Sequence, residues 1–170
     1  MSPSSSPDAD LARLLLRLSV GGTMIAHGVK HARSLPGTAR WFESIGFRKP
    51  RLQAQLSAVV EIGSGAALIV GVATPLSAGA IVGTMAVAAR SVHIPNGFFI
   101  TAEGWEYVAA LGVSSVAIGA LGGGRFSIDR VLGLDHQLRG GRGAAIALGA
   151  GLGGAAAQLA TFWRRSGQAA

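Results

Sequence analysis

From Ala54 to Val72 the chain is predominantly apolar, and one carboxylate, Glu61, stands near the middle of that run. About 20 such residues form a helix long enough to cross a bilayer. A carboxylate at that depth costs several kcal/mol unless it is protonated, paired or facing a polar cavity. The device recurs along the chain. Arg17 and His27 lie in the first apolar segment, Arg90 ends the third, and Glu106 begins the fourth.

Five candidate membrane segments follow from the same length requirement. They run from Leu11 to Lys30, Ala54 to Ala73, Leu76 to Val92, Glu106 to Leu121 and Gly143 to Trp163. Thr74-Pro75 predicts a tight turn between the second and third, and Pro95-Asn96-Gly97 breaks the chain after the third. A basic loop from His31 to Gln53 follows the first segment, with Trp41 and Phe42 read as interface anchors on an amphipathic turn. Residues 1–10 read as a disordered tail without the character of a cleaved signal peptide. Residues 130–142 read as a polar connector, 143–163 as the fifth helix and 164–170 as a basic tail.

Composition supports the membrane reading. Charged residues make up 14% of the chain, against about 25% in soluble domains. The 26 glycines suit helices packed closely through small side chains. With no cysteine, the chain offers no disulfide, thiolate metal site or thiol–disulfide chemistry. The net charge of +7 lies mostly in short loops beside apolar runs, where it sets topology or touches anionic lipid. No basic helix or aromatic platform suggests nucleic acid. The distribution of Lys and Arg favours a cytoplasmic first loop.

At about 100° per residue, several ionisable groups share helix faces. Arg13, Arg17, Met24 and His27 align on the first helix, with Lys30 one turn beyond. Ser57, Glu61, Ser64 and Gly65 align on the second, and Gly79, Gly83, Ala86 and Arg90 on the third. Glu106, Ala110, Val113 and Ala117 align on the fourth, with Trp105 and Tyr107 beside its entrance. These four faces are expected to point into one bundle. Two readings stay open for the charges: Glu61 as a counter-ion to Arg17 or Arg90, or a ligand and proton site built on His27, Lys30 and Glu61. His27 and His93 with two carboxylates offer no close ligand spacing, so no metal site is expected.

The ordered motifs RLSVGGTMIAHGVKH (Arg17 to His31), WFESIGF, VVEIGSGAALIVGVATPLSAGAIVGTMAVA, GFF, GWEYVAAL and GGGRFSID resemble the DoxX family of bacterial membrane proteins, from about Leu14 to Asp129. The resemblance implies an all-α, polytopic four-helix membrane bundle in a bacterial inner membrane, here followed by a further segment. It also implies polar landmarks at Arg17, His27, Lys30, Glu61, Arg90, Glu106 and Tyr107 and at the terminal Ser127-Ile128-Asp129. The family takes its name from a membrane subunit associated with quinone-linked sulfur oxidation, and other members are linked with respiratory or oxidative-stress complexes.

Two functions follow as expectations. One is a redox-complex subunit that binds quinone or a similar lipid, with His27 and Lys30 as donors, Glu61 as proton carrier, and Arg17 and Arg90 tuning the site. The other is a structural or assembly subunit whose buried charges fix helix register and whose last helix docks a neighbour. Transport is a third, less favoured reading, since transporters are usually larger and built from repeats. In either main role the expected partners are the lipid bilayer and other membrane subunits. With no cysteine and no nucleotide-binding motif, electrons would have to come from a partner, so catalysis by the chain alone is not expected.

Overall fold

The computed structural model describes residues 7–164, and every long element in it is helical. The α-helices are α1 (Pro7–Arg33), α2 (Leu35–Ser44), α3 (Pro50–Val70), α4 (Thr74–Ala88), α5 (Glu106–Leu121), α6 (Ile128–Val131) and α7 (Gly140–Phe162). A π-helical turn, Ala89–His93, and a 3₁₀ turn, Ile94–Asn96, carry α4 onward to Asn96. Three spans are long and apolar enough to cross a membrane: α3, α4 with its continuation, and α7. Helix α1 is longer but more polar, and α5 is a shorter apolar helix; both pack into the bundle with the three spans.

Local chemistry sets the breaks. Prolines stand at the first turns of α2, α3 and α4, where their missing N–H leaves no helical bond unmade. Gly71 ends α3 at φ 69°, and its N–H returns to the carbonyls of Ala67 and Leu68. The tight turn expected at Thr74-Pro75 falls here, so α3 and α4 run antiparallel.

Close approach between small residues fixes the packing. Gly21 of α1 faces Gly65 of α3, and a Cβ on either would lie 2.6 Å from the other's carbonyl oxygen. On α4, Gly79 faces Ala147 and Gly83 faces Gly151, so α7 runs parallel to α4. Helix α7 is therefore an integral wall of the bundle. Its small-residue face docks on this chain's own α4.

Several expected boundaries move. Helix α1 begins at Pro7 and Asp10 is buried, so the expected disordered stretch 1–10 is helical over its last four residues. Met1 to Ser6 and residues 165–170, which include most of the basic tail, lie outside the described residues. The loop after α1 holds a ten-residue helix, α2, rather than a turn. There Phe42 is buried with Phe47, Ala54, Val87 and Ala155, while Trp41 stays exposed. The polar connector contains the end of α6, and α7 starts at Gly140.

The alternation of α1, α3, α4, α5 and α7 gives the bundle two ends. At one lie the start of α1, the α3–α4 turn and the α5–α7 connection. At the other lie α2, the start of α5 and the end of α7, where the backbone of Phe47 bridges that of Trp163.

Candidate functional site

Arg17 is 1% exposed, and its guanidinium is spent on backbone. Nε donates to Leu68 O at 2.8 Å, Nη2 to Ile69 O at 2.5 Å and Nη1 to Gly123 O at 2.5 Å. Two of these carbonyls belong to the last turn of α3, which is short of backbone donors and carries the negative end of the helix dipole. Arg17 is thus a C-cap supplied from another helix, and it binds the turn after α5 to the same point. The expected Arg17–Glu61 pair does not form.

Asp129 completes this end. Its Oδ1 accepts from Ala73 N–H at 2.7 Å and its Oδ2 from Thr74 N–H at 2.8 Å, so one carboxylate caps the start of α4. Asp135 accepts from Gly124 N–H at 3.0 Å, and Asp10 accepts from Arg13 at 2.9 Å and from Arg125 N–H at 3.2 Å. The GGGRFSID stretch is therefore a polar lock that ties three helix ends together. Aspartates 10, 129 and 135 were legible only as loop or terminal residues, since nothing local shows which distant N–H groups they meet.

Glu61 is 4% exposed on α3 and faces the end of α1. Its Oε1 accepts from Ser57 Oγ at 2.6 Å and lies 3.3 Å from His31 Nδ1, which is also 2.8 Å from Ser57 Oγ. Its Oε2 is buried with no hydrogen-bond partner. The Ser57, Glu61, Ser64 and Gly65 face points inward as expected, but the histidine that meets it is His31, one turn beyond His27. The signal was present: His31 continues the Arg17–Met24 stripe once α1 is allowed to run to Arg33.

The other expected site residues lie apart. His27 is at the margin of the α1 stripe, roughly 80° from Arg17, and is exposed, with its ring 6.4 Å from that of exposed Tyr107. Lys30 lies farther round the helix and is exposed. Arg90 is exposed, and its guanidinium sits over the Trp163 ring at 4.6 Å, away from Glu61. Glu106 begins α5 half-buried. The fourth face is a correction: Val113 is 70% exposed, Ala110 and Ala117 are exposed, and α5 buries Val108, Ser115, Ile118 and Gly119 instead. A face chosen by its one charged residue was misplaced because α5 is apolar all round, which leaves periodicity no direction.

That outward face lines a cleft. Helices α5 and α7 meet where Gly119 approaches Gly143 and Ala147. They then part: α7 leans to α2 and α3, where Gln158 bonds Gln53, while the start of α5 leans to α1 through Tyr107. The wedge between them holds about 680 Å³. Val82, Met85 and Ala86 of α4, Ala109, Gly112, Val113 and Val116 of α5, and Leu148 of α7 line it, with Ile94 and Trp105 at its α2-side end. Among the described residues no ionisable side chain lines it.

Together the apolar spans and inward small-residue faces define a polytopic helical membrane protein. Residues 12–94 match the DoxX family model, and α7 lies beyond the match as an additional C-terminal apolar helix. The GFF, GWEYVAAL and GGGRFSID landmarks fall beyond that match. No curated protein and no solved structure matches the chain.

Proposed function

We propose that the protein is an accessory membrane subunit, not catalytic by itself, that holds the chain of a quinone or similar lipid for a partner redox complex in a bacterial inner membrane. The observation that carries this reading is the cleft between α4, α5 and α7. Its volume lies within the range of small-molecule sites, and its apolar lining suits an isoprenoid or acyl chain. Trp105 and Ile94 mark the end nearest the polar loops, so the head group would sit there and the tail would run toward Leu148 and Ala120.

This differs from a polar pocket built on His27, Lys30 and Glu61. His27 and Lys30 are exposed, whereas Glu61 is enclosed between α1 and α3. The neighbouring His27 and Tyr107 rings form a polar patch on the outside of the bundle, and that patch favours contact with another subunit. The assembly role and the lipid role thus occupy different faces.

Extraction in native lipid, followed by chromatography and mass spectrometry of bound small molecules, tests the reading. Gly112 lines the cleft, and a Cβ there meets only Met85 at 3.8 Å, so the side chain of Gly112→Leu starts into the open space of the cleft. Quinone retained near one per chain and lost in Gly112→Leu supports the proposal. Bulk phospholipid alone, identical in both proteins, overturns it.

A further inference from the structure

We propose that Glu61, Ser57 and His31 form a proton-binding site near the middle of α3, filled and emptied from the α2 end of the bundle. The proposal is independent of the lipid cleft, which these residues do not line.

A carboxylate kept only for structure has both oxygens satisfied, as Asp129 does with two backbone N–H groups. Glu61 differs. Its Oε1 takes the Ser57 hydroxyl proton at 2.6 Å, while its buried Oε2 has no partner. A bare oxygen of an ionised group in an apolar bundle is costly, and a bound proton removes the charge. Ser57 Oγ, having donated its one hydrogen to Glu61, accepts from His31 Nδ1 at 2.8 Å. His31, Ser57 and Glu61 are therefore joined by an unbroken chain of hydrogen bonds. The His31 side chain is 22% exposed and stacks on Trp41 of α2, with ring centroids 6.3 Å apart, so the imidazole reaches outward where Glu61 cannot.

Among the described residues no other charge competes for the site. His27, Lys30 and Arg33 on α1 and Arg40 and Glu43 on α2 are exposed, and Arg90 at the end of α4 lies over Trp163. Among the described residues none of these forms an ion pair with Glu61 or His31.

The transfer balances without electrons changing hands. A hydronium ion from the aqueous side gives a proton to His31 Nε2 and is left as water. The Nδ1–H bond breaks as that proton joins Ser57 Oγ, and the original Ser57 proton moves to Glu61 Oε1. The imidazole is left neutral with its proton on Nε2, and release is the reverse path.

The test is infrared difference spectroscopy of the full chain in proteoliposomes across roughly pH 4 to 9. A protonated-carboxyl band that titrates and is absent in Glu61→Gln is expected. After a pH jump, its formation should slow about a hundredfold in Ser57→Ala and recover in Ser57→Thr, which restores the hydroxyl. The serine pair keeps the test decisive if Glu61→Gln does not fold. No titrating band, or a rate that Ser57→Ala leaves unchanged, overturns the proposal.

Discussion

Arg17 and Gly123, separated by 106 residues, are joined by a 2.5 Å hydrogen bond from the buried guanidinium to the turn after α5. The same side chain caps α3 at Leu68 and Ile69. Removing it takes the side-chain donor from three carbonyls at this buried end of the bundle, of which Leu68 O keeps the Gly71 N–H. Arg17→Met should cost about 3 kcal/mol or more, read as a large drop in thermal unfolding temperature in detergent. Arg17→Lys should recover only part of this, because one ammonium cannot reproduce the planar fork.

Glu61→Gln should behave differently. Among the described residues Glu61 is not the counter-ion of any arginine, and glutamine can still accept from Ser57. Its stability should stay within about 1 kcal/mol of the wild type by the same assay. A loss as large as that of Arg17→Met would show that the carboxylate charge holds the bundle together.

Two glycines in α3 make a paired prediction. A Cβ at Gly65 would collide with Gly21 O at 2.6 Å, whereas nothing lies within 4 Å of one at Gly63. Gly65→Ala should therefore destabilise by about 1–3 kcal/mol as α1 and α3 are forced apart. Gly63→Ala should be neutral or stabilise by up to about 1 kcal/mol through helix propensity. Thermal unfolding of the two variants side by side checks both.

At the cap of α4, Asp129→Ala removes the acceptor of two backbone N–H groups. It should cost about 1–3 kcal/mol, with Asp129→Asn intermediate because one oxygen remains. Hydrogen exchange should localise the change: Ala73 and Thr74 amides should lose protection before the centre of α4 does.

Much of the fold was legible because lipid imposes long apolar runs, and Pro and Gly mark where they stop. The turn between α3 and α4 and the inward stripes of α1 and α3 follow from that pattern. The small-residue face of α4 was legible as a packing face, but its partner was not, since Gly79 and Gly83 do not reveal that Ala147 and Gly151 approach them. The site was harder to read. The search for charge partners pointed Arg17 and Arg90 at Glu61, whereas one arginine is satisfied by carbonyls and the other by an indole. Backbone acceptors are present at every position, so sequence cannot single them out. His31 lies just past Lys30, where the apolar run ends, so the run alone does not place it on α1.

Photo-crosslinking with a short-chain azidoquinone in native membranes tests the central claim, the lipid cleft, most directly. Labelled peptides are expected within 82–89 and 105–120, with labelling that unmodified quinone competes away and Gly112→Leu abolishes. Label spread evenly over the lipid-facing helices, or labelling that Gly112→Leu leaves unchanged, would contradict it.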